Sequence, residues 1–253
     1  EMYGFRAFST WYQSKDPENN WGMDFSDISV PPPWLKTVHN THAGQRCYIF
    51  GTGPSLAGQL PLLKQLGRSY TFTCNRMKLW GDVPFTPFVH CITEPSPVLD
   101  FGSRINPWYD FPSAQNRVAC IWWPVWAKGW LWMPKAPDDI QVRWAGTWGM
   151  GEKLPPVPTA WASPLTITQL ALWMGFSELV LLGVDTTQQG QAWDTVEGRT
   201  AKARNIRSIM ECAERMSRDI KRNGRQLWDA TPGGRLNVEG CIPYRPLEEV
   251  LNG

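Results

Sequence analysis

Seven short runs of apolar residues, separated by turns or by helical stretches, constrain the fold of this chain more than any other feature. Runs that are apolar on both faces are typical of strands buried in a parallel sheet. With helices between them and right-handed crossovers, they predict an α/β fold with a mostly parallel sheet and helices on both faces. The runs span residues 47–50, 70–74, 88–92, 118–123, 142–145, 179–184 and 226–228.

Two helices can be predicted between these runs. Ser163 and Pro164 provide a cap and a first-turn proline for a buried helix over residues 165–174, which Gly175 ends. A second helix is predicted over about residues 200–222, with an apolar face, a basic face and an Asn-Gly pair at its end.

Size and composition are those of a folded protein with a sizeable core. The chain has 253 residues, of which 42% are hydrophobic and 19% are charged. Residues 1–45 are rich in Asn, Pro and aromatic residues and lack periodicity, so they predict an extended N-terminal arm. Residues 46–253 are predicted to form a single α/β nucleotide-binding domain with a tryptophan-rich insertion around residues 104–161.

Several absences bear on where the protein resides. No apolar run approaches the roughly 18–20 residues that span a bilayer, and the first residues lack the layout of a signal peptide. The six cysteines are scattered without a Cys-x-x-Cys pair, as expected of small buried hydrophobic residues in a reducing compartment. We therefore expect a cytoplasmic protein without a transmembrane segment, and a homo-oligomer is left open.

A strand that leads into a glycine turn gives the first indication of function. The run at residues 47–50 continues as Gly51-Thr52-Gly53-Pro54-Ser55. Such a turn can bring backbone amides to a helix start, where partial positive charge holds a phosphate or another anion. The motif lacks the third glycine of the dinucleotide fingerprint and the Gly-Lys-Ser/Thr ending of a P-loop. It therefore predicts a nucleotide ligand without specifying its class.

Polar residues follow other apolar runs where ligands bind in α/β sheets, beyond the carboxyl ends of the strands. Asn75 and Arg76 follow the second run, Glu94 follows the third, Asp185 the sixth and Asp229 the seventh. Asn75 lies near the place where dinucleotide-binding folds put an acid on the ribose. An amide there can donate and accept hydrogen bonds without repelling phosphates.

Tryptophans and a basic stretch suggest an acceptor. Nine of the sixteen tryptophans fall between residues 108 and 161. Such side chains pack in cores or dimer interfaces, and they also stack on sugars and bases. We take Trp122, Trp126 and Trp193 as candidate acceptor-binding residues. Residues 199–225 carry nine Lys or Arg against three acids, which fits a solvated helix face or contact with phosphorylated substrate, nucleic acid or an acidic surface.

Four short stretches, taken in order, resemble a known group of enzymes. They are Gly51-Thr52-Gly53-Pro54-Ser55, then Cys74-Asn75-Arg76, then Trp173-Met174-Gly175-Phe176 with Leu181-Leu182-Gly183-Val184-Asp185. The set is similar to bacterial sialyltransferases that use CMP-sialic acid, to motility-accessory glycosyltransferase-like proteins and to archaeal hydroxymethylpterin diphosphokinases. The similarity covers about residues 46–235 and implies a Rossmann-like fold, a GT-A-like sialyltransferase variant.

The resemblance also implies a nucleotide site. The glycine turn would approach the phosphate and ribose, Asn75 the nucleotide or donor sugar, and Ser163 the base, while Asp185 would lie beside the donor. The donor would be a nucleotide sugar, CMP- or UDP-linked. The implied nucleotide-binding residues are Gly51, Thr52, Gly53, Ser55, Asn75, Arg76, Ser163 and Thr187.

The chain departs from the sialyltransferases in two places. Thr187 and Trp193 occupy the region of the tyrosines that bind the phosphate in that family, and no histidine follows His90 to serve as its general base. A base must reach the acceptor hydroxyl and titrate near neutral pH. Glu94, Asp185 and Asp194 are the candidate catalytic residues. His90 lies within an apolar run and is predicted to be a core histidine.

Three functions follow, in order of preference. The first is transfer of a sugar from a nucleotide sugar to a hydroxyl acceptor, either a glycan or a hydroxylated nucleic-acid base. No Asp-x-Asp motif stands in a plausible metal-binding loop, so no metal or other cofactor is expected for it. The second is a pterin-type pyrophosphokinase, whose metal could be held by Glu94, Asp185 and Asp229. The third is a catalytically inactive nucleotide-fold protein with a binding or structural role.

Overall fold

The computed structural model describes residues 38–74, 77, 83–92, 116–120, 142–145, 162–186 and 206–253, and these contain seven strands and five helices. The strands are β1 (Arg46–Phe50), β2 (Tyr70–Cys74), β3 (Val89–Ile92), β4 (Asn116–Cys120), β5 (Val142–Ala145), β6 (Glu178–Leu182) and β7 (Gln226–Asp229). The helices are α1 (Ser55–Leu63), α2 (Ser163–Trp173), α3 (Ile206–Arg222), α4 (Arg235–Val238) and α5 (Leu247–Asn252). A strand lies at each of the seven predicted runs.

All seven strands form one sheet in the order β5-β4-β3-β2-β1-β6-β7, and every neighbouring pair is parallel. The predicted parallel α/β fold is therefore confirmed. From β1 the chain builds outward through β2 to β5 and then returns to add β6 and β7 on the other side. The connections that leave β1 and β6 consequently diverge, and such a switch point is where open α/β sheets bind their ligands.

Helices cover both faces of the sheet, because the strand side chains alternate between two apolar clusters. On one face, Cys47 and Ile49 of β1 belong to a cluster that includes side chains of α2 and α3. On the other face, Tyr48 and Phe50 pack in a cluster with side chains of α1 and α5. Strands β1 and β6 thus bury both faces, as their unbroken apolar runs predicted.

Helix α2 is buried along nine of its residues, as expected of an almost wholly apolar helix. The cap prediction was wrong by one residue, because Ala162 is the N-cap residue and Ser163 is already helical. The extended Ala162 presents its carbonyl oxygen to the N–H groups of Leu165 and Thr166, at 3.0 and 3.3 Å. Gly175 follows the helix at φ +98°, a conformation that favours glycine.

Helix α3 has the predicted apolar face, formed by Ala213, Met216 and Ile220, and Gly224 follows it at φ +72°. The predicted start near residue 200 lies outside the described residues. The basic side chains of α3 are partly neutralised by ion pairs along the helix, as expected of a solvated face. These pairs are Arg207–Glu211, Arg218–Glu214 and Arg222–Asp219.

A turn over residues 38–44, the described end of the predicted arm, packs against the end of α2. Asn40 and His42 donate backbone hydrogen bonds to the carbonyl oxygens of Trp173 and Met174, at 3.0 and 2.8 Å. The His42 ring stacks on Phe176 with centroids 4.7 Å apart. His42 and His39 thus make aromatic contacts, and no group of three or more His, Cys, Asp or Glu side chains among the described residues could hold a metal ion.

Three further predictions from the sequence concern the cysteines, a membrane-spanning helix and the tryptophan-rich insertion. Cys47, Cys74 and Cys91 are buried as predicted, whereas Cys212 and Cys241 are partly exposed, and all five are free thiols. Within the described ranges, no helix has the length and apolar character needed to cross a membrane. Strands β4 and β5 fall inside residues 104–161, so the stretch predicted as an insertion contributes to the sheet.

Candidate functional site

The glycine turn lies at the switch point, between β1 and α1, and packs against the end of β6. The N–H of Gly51 donates to the carbonyl oxygen of Leu182 at 2.7 Å, and the N–H of Gly53 donates to that of Gly183 at 2.8 Å. A Cβ atom on Gly51 would lie only 2.3 Å from the Gly183 oxygen. The two glycines are therefore required for close approach to β6. Their amides are engaged within the protein, which differs from the free amides that the motif predicted.

The carboxylate of Asp185 caps the N-terminus of α1. Its Oδ1 accepts a hydrogen bond from the Ser55 N–H at 3.2 Å, and its Oδ2 accepts one from the Ser55 hydroxyl at 2.8 Å. A Cβ atom on Gly53 would lie 1.7 Å from Oδ2, so the carboxylate sits directly against the turn. A negative group at this position is stabilised by the positive end of the helix dipole. The predicted anion position is thus filled by a side chain of the protein.

Burial raises the pKa of Asp185, and the hydrogen bonds from Ser55 act in the opposite direction by stabilising the ionised form. The next residue, Thr186, has φ +50°, which is rare for a β-branched residue. Its hydroxyl donates to the carbonyl oxygen of Asp185 at 2.8 Å. Unusual backbone geometry of this kind concentrates at functional sites.

Asp229, at the end of β7, lies next to this corner. Its Oδ1 accepts from the Thr231 N–H at 3.0 Å, and its Oδ2 accepts from the Asn237 side-chain amide at 2.8 Å. The side chain is fully buried, and burial is the main reason that its pKa rises to about 6. The charge of Asp185 contributes to this rise. The sequence placed Asp229 at the end of its strand, but nothing in the sequence indicated Asn237 as its partner.

The loops that follow β6 and β7 are joined by hydrogen bonds. The N–H of Val184 donates to the Thr231 hydroxyl at 3.1 Å, and the N–H of Arg235 donates to the carbonyl oxygen of Asp185 at 3.1 Å. These bonds hold the backbone on both sides of Asp185. The carboxylate is therefore positioned by three parts of the chain, at the ends of β1, β6 and β7.

Thr52 differs from the other residues of the glycine turn. It is half-buried, and it makes no hydrogen bond to any residue in the described part of the chain. Its hydroxyl and its N–H are thus available to a ligand at the carboxyl end of β1. Ser163 lies at the first turn of α2, which runs antiparallel to the strands and therefore begins at the same edge of the sheet.

His90 is a core residue, as its apolar surroundings in the sequence predicted. It is 1% exposed, and its Nδ1 lies 2.9 Å from the Thr73 hydroxyl on the neighbouring strand. A side chain buried in this way does not reach an acceptor that binds at the surface.

The described residues bring together one part of the predicted site. Gly51, Gly53, Ser55 and Asp185 are in contact, Thr52 lies within their turn, and Ser163 begins a helix at the same edge. The remaining candidates lie outside the described residues. They are Asn75, Arg76, Glu94, Trp122, Trp126, Thr187, Trp193 and Asp194.

No protein-family model matches the chain, and no curated protein matches it significantly. Solved structures do match. Sialyltransferase CstII from Campylobacter jejuni, in complex with the substrate analogue cytidine-5′-monophosphate, has a TM-score of 0.54 and 13% identity over 82% of this chain and 87% of that chain. CST-II in complex with a trisaccharide acceptor and CMP gives a TM-score of 0.54 and 15% identity, with 81% and 88% covered.

Another solved structure matches over part of its length. The MAf glycosyltransferase from Magnetospirillum magneticum AMB-1 has a TM-score of 0.52 and 16% identity, over 84% of this chain but 35% of that chain. At such identities the likeness establishes the fold. The chain therefore has the α/β fold of the sialyltransferase CstII and of the MAf glycosyltransferase, in agreement with the resemblance of its motifs.

Proposed function

We propose that this protein is a glycosyltransferase that transfers a sugar from a nucleotide sugar to a hydroxyl acceptor. The observation that carries the proposal is the position of the glycine turn and Asp185, which meet at the switch point between β1 and β6. The chain has the fold of CstII, whose structures contain CMP and a trisaccharide acceptor. A CMP-linked donor and a glycan acceptor are accordingly the first to test, with a UDP-linked donor and a hydroxylated nucleic-acid base as further candidates.

The nucleotide is expected at the carboxyl ends of β1, β2 and β6. Thr52 is the turn residue with free hydrogen-bonding groups, and Ser163 begins α2 at this edge. Gly51, Gly53 and Ser55 shape the turn. Asn75, Arg76 and Thr187 complete the proposed nucleotide-binding set, and Trp122, Trp126 and Trp193 are proposed to stack on the acceptor.

Three carboxylates are proposed for the catalytic step. A general base needs a free lone pair directed at the acceptor hydroxyl and a pKa near the working pH. The raised pKa of Asp185 suits this role, but the hydrogen bonds that its oxygens accept from Ser55 act against it. Such bonds stabilise the ionised form and weaken it as a base. We therefore favour Glu94 or Asp194 as the base and place Asp185 beside the donor.

The proposal is tested by a thermal-shift screen of nucleotides and nucleotide sugars, followed by titration with the strongest ligand. Thr52→Ala should weaken nucleotide binding by about two- to tenfold, the loss of one or two hydrogen bonds. It should leave the melting temperature of the free protein unchanged, because Thr52 makes no hydrogen bond to the described residues. Thr86→Ala is the matched control, since exposed Thr86 precedes β3 at the opposite edge of the sheet.

Two outcomes would contradict the proposal. The first is a folded protein that no nucleotide or nucleotide sugar stabilises at millimolar concentration. The second is nucleotide binding that Thr52→Ala and Thr86→Ala affect equally, which would place the ligand away from the glycine turn.

A further inference from the structure

We propose that Asp185 is a specificity-determining residue, whose carboxylate selects a ligand hydroxyl over a phosphate at the glycine turn. This inference rests on the proposed function and deepens it, because it assigns the part of the ligand that occupies the turn. The turn motif alone predicted the opposite, a phosphate held by the N-terminus of α1.

The first argument is that, apart from those of Thr52, the groups of the turn which would bind a phosphate are already engaged. The N–H groups of Gly51 and Gly53 donate to carbonyl oxygens of the β6 end, and both donors of Ser55 point at Asp185. A phosphate bound at the N-terminus of α1 would find only the donors of Thr52 unless at least one of these hydrogen bonds broke. It would then lie against a fixed carboxylate, and two negative groups in contact repel each other.

The second argument is that the carboxylate has little freedom to move aside. It contacts the turn so closely that even a methyl group on Gly53 would overlap Oδ2, at 1.7 Å. The backbone of Asp185 is held by hydrogen bonds from the Arg235 N–H and the Thr186 hydroxyl. Displacing the side chain would therefore break the two hydrogen bonds that cap α1.

The third argument is the charge of the surroundings. The carboxylate of Asp229 lies close enough for the two acids to interact. Arg235 is the single basic residue within residues 51–55, 183–186 and 229–235, and its guanidinium pairs with Glu239 at 2.7 Å. Within these described segments, a phosphate finds two acids and no unpaired cation.

A carboxylate in this position is suited to a hydroxyl group. Asp185 is half-buried, and each of its oxygens can accept a hydrogen bond in addition to the one from Ser55. A hydroxyl of the ribose and a hydroxyl of the transferred sugar provide the same donor chemistry. The phosphate of the donor is then expected away from the N-terminus of α1.

The test compares wild type and Asp185→Asn in titrations with cytidine, 2′,3′-dideoxycytidine, CMP, CMP-N-acetylneuraminic acid and inorganic pyrophosphate. Asparagine keeps the shape of the side chain and can still accept from the Ser55 N–H, but it removes the charge. We expect cytidine or CMP-N-acetylneuraminic acid to bind the variant about tenfold more weakly or worse, as on losing a hydrogen bond to a charged group. Pyrophosphate should instead bind the variant about tenfold more tightly, because like-charge repulsion is removed.

The opposite directions of these changes distinguish selection between hydroxyl and phosphate from a structural role, since a damaged site would bind every ligand more weakly. If wild type binds dideoxycytidine more weakly than cytidine, the ribose is identified as the source of the hydroxyl. If the variant loses affinity for CMP-N-acetylneuraminic acid while its affinity for CMP is unchanged, the transferred sugar is identified as the source. Ser55→Ala, which keeps the carboxylate, should not gain pyrophosphate binding.

The proposal is overturned if wild type binds pyrophosphate as tightly as Asp185→Asn does, or if the variant binds all five ligands more weakly than wild type. The wild-type titration needs no variant: tight pyrophosphate binding that cytidine displaces would itself overturn it. If no nucleoside or nucleotide binds wild type, the proposed function fails, whereas a gain of pyrophosphate binding in the variant would still support exclusion of phosphate by Asp185.

Discussion

Replacing Gly53 with alanine should destabilise the protein through overlap with Asp185 and with the backbone of Gly183. The added methyl group would lie 1.7 Å from Oδ2 of Asp185, 2.6 Å from its Cγ and 2.7 Å from the carbonyl oxygen of Gly183. Both the carboxylate and the backbone oxygen are fixed by hydrogen bonds of their own. The variant must therefore shift the turn or release Asp185 from Ser55.

The loss of stability follows from the interactions of Asp185 that the variant breaks. Freeing the carboxylate removes two hydrogen bonds to a charged group and the cap of α1, partly replaced by water. We expect a loss of about 2–4 kcal/mol in the free energy of unfolding. For a chain of this size that corresponds to a fall in melting temperature of roughly 4–16 °C.

Urea denaturation followed by circular dichroism measures this loss, and Gly58→Ala is the matched control. Gly58 lies within α1, the helix that follows the turn, with no atom within 4 Å of its added Cβ, so alanine there should stabilise by about 0.5–1 kcal/mol. In a double-mutant cycle, Gly53→Ala should cost less when Asp185 is already alanine, because the overlap with its carboxylate is gone. A Gly53→Ala variant as stable as wild type, or strictly additive effects, would refute the contact.

Three further predictions concern pH, the opposite edge of the sheet and metal dependence. Because the pKa of Asp229 rises from 3.8 to about 6 on folding, the folded state holds the extra proton between these values. Stability should therefore fall as pH rises from 4 to 6, with Asp229 contributing at most roughly 3 kcal/mol, and urea denaturation of Asp229→Asn should show a shallower slope. Glu178→Gln should cost roughly 1–3 kcal/mol in urea, since Glu178 accepts from Arg46 at 2.6 Å and from Arg245 at 3.1 Å; an unchanged midpoint would contradict this. EDTA should leave donor cleavage unchanged, whereas a strict Mg²⁺ requirement with release of AMP from ATP would favour the pyrophosphokinase.

The sheet could be predicted from the sequence because its strands coincide with short apolar runs, and the central strands β1 and β6 are buried on both faces. The runs at residues 70–74 and 142–145 match β2 and β5 at both ends. Strand β4 begins at Asn116, two residues before its predicted run, because a polar residue can occupy the end of a strand without breaking its pairing. Parallel pairing followed from the helices between runs, since parallel strands need crossover connections.

The site could be predicted only in part, because its key contact joins distant residues. Ser55 and Asp185 are 130 positions apart, so no local pattern shows that the carboxylate caps α1. The glycine motif indicated a close approach of backbone and ligand, whereas the structure shows that β6 makes this approach. The partnership of Asp229 with Asn237 likewise depends on a turn whose path the sequence does not reveal.

The most direct test of glycosyl transfer is to incubate the protein with CMP- and UDP-linked sugars and hydroxyl acceptors and to measure the released nucleotide and the mass gained by the acceptor. We expect at least one donor to be cleaved, with slower release by Thr52→Ala and unchanged release by Thr86→Ala. Folded protein that neither binds nor cleaves any nucleotide sugar at millimolar concentration would contradict the proposed function.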